Sequence, residues 1–179
     1  KIGGLAVVTS VIIGLGLGII SALKSGRWPD RLCMFISTLG ITIPSFVISA
    51  LLIYIFASKM RILPTTGLDN WKSYIMPVIA LAGSSTAFIT RLTRSKLIDV
   101  MKSDYIRTAK AKGLSKRTVI FKHALKNSII PVVTYLGPLV AGILTGSFVV
   151  EKIFSIPGLG KEFVSNVNTR DYSALLGVI

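Results

Sequence analysis

Apolar and uncharged positions run without interruption from Ile2 to Leu23, Leu32 to Ser58, Ser73 to Thr90 and Ser128 to Val150, and the charged residues fall in the connections. Wound as a helix at about 1.5 Å per residue, each run reaches on the order of 27 to 40 Å, which brackets a hydrocarbon core of roughly 30 Å. Buried helices of a soluble protein would carry charged faces between apolar stripes, and these runs carry none. The pattern predicts an all-α transmembrane bundle with four complete spans. A fifth apolar run begins near Tyr172 and stops at Ile179, short of the roughly 20 residues a span needs. The chain opens on Lys1 with no signal-peptide pattern, so a single domain over 1–179, incomplete at both ends, is expected.

Composition sharpens this picture. The 179 residues are 51% hydrophobic, yet 21 Lys and Arg face 7 Asp and Glu, a net charge of +14. A disordered basic tail would be poor in large apolar residues, and a mean hydropathy of +0.71 is foreign to an ordinary nucleic-acid module. The single cysteine, Cys33, excludes an intrachain disulfide or a cysteine-built zinc site. Lys24, Arg27 and Arg31 occupy the first connection and eleven further cations lie between Arg91 and Lys126, against three in each alternate connection. That bias puts Arg91–Asn127 in the cytoplasm and the 59–72 and 151–171 loops outside.

Within the spans, Gly14, Gly16 and Gly18 in the first run and the Gly142/Gly146 pair in the fourth suit close helix packing. The Gly-x-Gly spacing is not a dinucleotide site, since it follows no strand and precedes no ribose-binding acid. Pro44 and Pro138 are expected to bend their helices, for packing or to line a lumen.

The segment from Asp104 to Asn127 predicts two short helices around a glycine. Asp104 suits a helix start, Lys110 and Lys112 its end, and Gly113 the left-handed closing position. Ser115 is placed to cap a second helix in which Phe121, Ala124, Leu125 and Ser128 share one face. Attraction to anionic lipid and nucleic-acid binding are competing readings of this basic stretch. Tyr105 and Phe121 are its only aromatics and no base-reading motif is present, so the ordered hairpin favours docking of a cytosolic protein.

The stretch Tyr105-Ile106-Arg107-Thr108-Ala109-Lys110-Ala111-Lys112-Gly113, with His123-Ala124-Leu125-Lys126-Asn127 and Pro131, resembles the EAA loop of ABC importer permeases in the spelling of the oligopeptide, dipeptide and nickel branch. Arg107 and Thr108 stand where the general pattern has an acid and an alanine. Ile156-Pro157-Gly158-Leu159-Gly160 before Arg170-Asp171-Tyr172 resembles that branch's last external loop, and Gly26 to Arg31 with Ile43-Pro44-Ser45-Phe46 resembles its first turn and next helix. The resemblance covers nearly the whole chain. It implies a multi-pass permease of the bacterial cytoplasmic membrane, in a type I importer fold.

The same resemblance implies the partners: a homologous second permease, two ATP-binding cassette ATPases and an external substrate-binding protein, in contact with membrane lipid and without nucleic acid. The ATPases would hold ATP and Mg, leaving this chain without a cofactor or catalytic residue. Tyr105, Arg107, Thr108, Ala109, Gly113, Leu114, Phe121 and His123 would couple to them. Nothing in the chain cradles phosphate, because Gly160-Lys161 is followed by Glu162 and lacks the glycine five residues earlier. All seven acids fall in connections, whereas ion-driven carriers usually place one mid-span. A peptide importer is therefore expected, with a nickel or other small-solute importer as alternative and an ion-coupled carrier as the cross-class one.

Ser37, Thr38, Thr42, Ser45, Ser84, Ser85, Thr86 and Thr134 are candidate pathway residues, unless they bond their own helix carbonyls. His123 has no Cys, His or acid at ligand spacing, so no metal site is expected.

Overall fold

The computed structural model describes residues 1–68, 70–144 and 148–178. Helix α1 covers Ile2–Leu23, α2 Trp28–Thr42, and α3 Ser45–Lys59, whose second half is wound as a π-helix. After a 3₁₀ turn at Trp71–Tyr74 comes α4, Ile75–Met101. Then follow α5 (Asp104–Ala111), α6 (Lys116–Ser128), α7 (Ile130–Leu144), α8 (Phe148–Ile153), α9 (Leu159–Thr169) and α10 (Tyr172–Val178). No strand occurs among the described residues.

Among those residues α1 and the Trp71–Met101 helix are each long and apolar enough to cross a bilayer alone. The other two expected spans are composite. The second is broken between α2 and α3, where Pro44 stands as the N-cap of α3 with extended backbone. The fourth combines α6 and α7, which turn by 43° at Ile129. The interruption therefore sits ahead of Pro131 and not at Pro138, through which α7 continues as a helix. Pro131 occupies the first turn of α7, where its missing N–H would have no intrahelical partner anyway. An interior proline such as Pro138 is tolerated in spanning helices when local adjustment satisfies the freed carbonyl.

By compactness the chain divides into two units. The first comprises Lys1–Val8, Ile43–Gly83 and Val140–Ile179, and the second Thr9–Thr42 and Ser84–Leu139. The first unit's core is built from Met76, Val78, Val150, Phe154 and Ile156 with Ala6, Ala80 and Ala82, and Ile48, Leu52 and Phe56 of α3 pack on it. The second unit's core gathers Leu97, Ile106, Ala109, Val119 and Ala124, with Ile19 and Ala22 of α1 against it.

In the second unit α1 lies close against α4 along a face of small residues four apart. A Cβ at Gly14 would stand 2.8 Å from Ile89 Cβ and 3.0 Å from the Thr86 carbonyl. One at Gly18 would stand 2.6 Å from Thr93 Cβ and 2.8 Å from the Thr90 carbonyl. Gly16, expected to share that role, has open space around it, because a step of two residues turns it to the opposite side of the helix. The packing motif is thus Gly14-x-x-x-Gly18. Gly142 also has open space, and its expected partner Gly146 lies outside the described residues, as does Asp69.

Candidate functional site

Helix α4 does not stop with its apolar run at Thr90. With no Pro or Gly to break it, the helix continues through Arg91 to Met101 and hands the chain directly to the hairpin. Asp104 lies in the first turn of α5 and Lys110 in its last, each favourable to the helix dipole. Ile106 and Ala109 turn inward and are buried. The helix closes at Gly113, with φ of 75°, where its N–H reaches the Lys110 carbonyl. That left-handed position suits a residue without Cβ. Ser115 then caps α6, its Oγ accepting from the Thr118 N–H at 3.3 Å. At the open end of the hairpin, Asn127 Nδ2 donates to the Tyr105 hydroxyl at 2.9 Å. The two helices are fastened at the turn and at their far ends.

One turn and a half of α6, Val119–Ala124, is π-helical. The extra residue in the turn rotates the inward face, so Val119, Ile120, Ala124 and Ser128 are buried while Phe121 stands 56% exposed. This corrects the expectation that Phe121 shares the buried face with Ala124, Leu125 and Ser128. Of the remaining coupling residues, Tyr105, Arg107, Thr108, Gly113 and Leu114 are exposed, His123 is half-buried and Ala109 is buried. Arg107 makes a loose exposed pair with Asp104 at 3.4 Å, of little energetic weight in water. Tyr105, Leu114 and Phe121 therefore remain exposed on a hairpin rich in basic residues.

An ion pair that sequence reasoning did not single out holds the neighbouring turn. Asp30, 3% exposed, accepts from Arg94 Nε at 2.6 Å and Nη2 at 2.7 Å, from the Ser21 hydroxyl, and from the Gly26 N–H at 2.7 Å. Four donors on one carboxylate offset the cost of burying it. The available signal was that Asp30 is the lone acid among Lys24, Arg27 and Arg31. A comparable contact orders the first unit. Glu151 Oε2 accepts from the Gly160 N–H at 2.8 Å, and a Cβ at Gly158 or Gly160 would fall within 2.6 Å of its carboxylate. Phe148 and Phe163 stack beside it with ring centroids 4.5 Å apart. The Ile156–Gly160 motif is the turn that this carboxylate requires.

The candidate pathway hydroxyls divide. Ser37 Oγ bonds the Cys33 carbonyl, Thr38 Oγ1 that of Met34, and Thr134 Oγ1 that of Ile130, each one turn back. The Thr86 carbonyl accepts from Thr90 and the Ser45 carbonyl from Ser49. Ser37 and Ser85 are buried, Thr38, Thr42, Ser84 and Thr134 exposed, and Ser45 and Thr86 half-buried. No group of three or more His, Cys, Asp and Glu side chains placed to hold a metal occurs among the described residues.

Residues 14–179 match the family described as the binding-protein-dependent transport system inner membrane component. The chain belongs to this family. It is 49% identical over 177 residues to the dipeptide transport system permease protein DppB of Bacillus subtilis (strain 168), an alignment covering 99% of this chain and 58% of that protein. It is 45% identical over 170 residues to the glutathione transport system permease protein GsiC of Escherichia coli (strain K12), covering 95% and 56%. The chain thus spans a little over half the length of these relatives. The family places the chain in a transport system of the inner membrane, and α1 and the Trp71–Met101 helix are long and apolar enough to cross that membrane.

Proposed function

We propose that the protein is the membrane-spanning subunit of an ATP-driven, binding-protein-dependent importer of short peptides, and that the α5–α6 hairpin is where cytosolic ATPase subunits dock. The exposure of Tyr105, Leu114 and Phe121 on an otherwise capped and packed hairpin carries this reading. Apolar side chains held outward on a rigid, basic element are what a protein partner buries, whereas a solvated loop would leave them out. Kinship with dipeptide and glutathione permeases supports short peptides as the cargo. ATP and Mg would reside on the ATPases, a homologous permease would complete the pathway, and an external binding protein would deliver substrate. The hydroxyls of Thr42, Ser84, Ser85 and Thr86, together with Ser37, Thr38, Ser45 and Thr134, would meet a peptide backbone without reading side chains.

The test is uptake of labelled di- and tripeptides, with nickel as a competing cargo, by the full importer in proteoliposomes. ATP-dependent peptide uptake is the expected result; uptake that ignores ATP and collapses with an ion gradient overturns the proposal. Gly113→Val, which strains the left-handed turn, should abolish transport and coupled hydrolysis while the subunit still inserts. Normal coupled transport by that variant would refute the docking role of the hairpin.

A further inference from the structure

A groove of about 510 Å³ opens between α2 and α4 in the second unit, and it is amphipathic along its length. Met34 and Ile41 line it from α2, and Phe88, Leu92, Arg91, Arg94 and Ser95 from α4. The polarity has a direction. On α4, Phe88 lies inside the apolar run that ends at Thr90, and Arg91 and Ser95 follow on its cytoplasmic side. On α2, Met34 lies just inside the run that begins at Leu32, and Ile41 lies roughly 10 Å further along the helix. The α4 wall therefore passes from apolar to basic at the boundary that the distribution of cations assigns to the cytoplasmic leaflet, and Met34 begins the α2 wall near the same end of its apolar run.

The charge at that boundary is not neutralised from within. Arg94, the other cation on the groove, is taken up by Asp30, whereas Arg91 is exposed and enters no ion pair among the described residues. The turn leading into α2 adds Lys24, Arg27 and Arg31, all exposed, and Trp28 with 73% of its surface open, an aromatic at the depth where indole rings sit among headgroups. Apolar walls at hydrocarbon depth that end in an unpaired guanidinium match an amphiphile with one acyl tail inward and an anionic head toward the cytoplasm.

We infer that the α2–α4 groove is a binding site for an acidic phospholipid of the cytoplasmic leaflet, its phosphate held by Arg91 and Ser95 and one acyl chain lying along Met34, Ile41, Phe88 and Leu92. The inference rests on the membrane orientation of the chain and is independent of which cargo the importer carries.

The full importer, in nanodiscs of phosphatidylcholine with phosphatidylglycerol, tests it in two ways. After delipidation and native mass measurement, the wild-type complex should retain phosphatidylglycerol over phosphatidylcholine; Arg91→Gln should lose at least half of it. Arg91→Lys and the hairpin control Lys110→Gln should retain it. Equal retention by Arg91→Gln and wild type, or no preference between the two lipids, overturns the site. If Arg91→Gln fails to assemble, a photo-crosslinking residue at Phe88 in the otherwise native complex decides the matter. Adducts with phosphatidylglycerol support the inference. Adducts with the second permease subunit or with transported peptide overturn it.

Discussion

Arg94 grips Asp30 with two nitrogens, Nε at 2.6 Å and Nη2 at 2.7 Å, across 64 residues of sequence. This contact fastens the α1–α2 turn to the extension of α4 beyond Thr90, the same helix that leads into the hairpin. Removing one partner of such a pair leaves a buried polar group uncompensated, at a cost of about 3 kcal/mol or more when both are fully buried. Arg94 is 28% exposed on its side chain, so the expected loss for Asp30→Asn is smaller, about 2 kcal/mol. Thermal unfolding of Asp30→Asn, Arg94→Gln and the double variant should show a double variant less destabilised than the sum of the singles. Strict additivity would mean that the pair contributes nothing as a pair.

The α1–α4 contact predicts opposite outcomes for neighbouring glycines. Gly14→Ala and Gly18→Ala force a methyl into Ile89 or Thr93 and against backbone carbonyls, and overpacking of this kind costs about 1–3 kcal/mol. Gly16→Ala meets open space and should be neutral or stabilising. At the same contact Thr93 Oγ1 is buried with no hydrogen-bond partner. Thr93→Val keeps the shape, removes the unsatisfied hydroxyl and should raise the melting temperature. A melting series in detergent checks all four.

Glu151 and Gly160 make a matched pair in the loop that the charge bias predicts to be external. Gly160→Ala would place its Cβ 2.6 Å from the carboxylate and 2.7 Å from Phe148 Cα, a backbone atom that cannot step aside cheaply. Protease cleavage of the Ser155–Gly160 turn in sealed vesicles with the external face outward should rise for Gly160→Ala and for Glu151→Leu. Glu151→Gln keeps an acceptor for the Gly160 N–H and should stay close to wild type; if it behaves like Glu151→Leu, charge and not hydrogen bonding holds the turn.

Two apolar residues of the hairpin should separate stability from coupling. Ile106 is fully buried and Phe121 is 56% exposed. Ile106→Ala is expected to cost about 2–5 kcal/mol and to unfold the hairpin. Phe121→Ala should leave the melting temperature unchanged and lower ATPase-coupled transport at least severalfold, read as uptake per ATP hydrolysed. A destabilised Phe121→Ala with normal coupling would remove Phe121 from the docking face.

The hairpin was legible before folding because its signals are local: an acid at the helix start, Gly113 at the closing position and Ser115 as a cap all act within a few residues. The face that it presents was not, since one π-turn at Val119–Ala124 shifts every later side chain by the width of a residue, and periodicity at 3.6 has no term for it. The pathway hydroxyls were ambiguous for a related reason. A serine in an apolar run reads alike whether it bonds its own helix, as Ser37 does, or faces open space.

The sequence alone determined that the chain is helical and built to lie in a membrane, because hydrophobic run length acts directly against the bilayer, and its cation bias is what predicts a cytoplasmic basic segment. Tertiary structure decided which residues meet across long separations. Asp30 finds Arg94, Gly14 and Gly18 but not Gly16 admit α4, and Glu151 selects glycine at positions 158 and 160. Such choices depend on distances of a few tenths of an ångström between elements far apart in the chain, a quantity that no pattern along one strand of sequence contains.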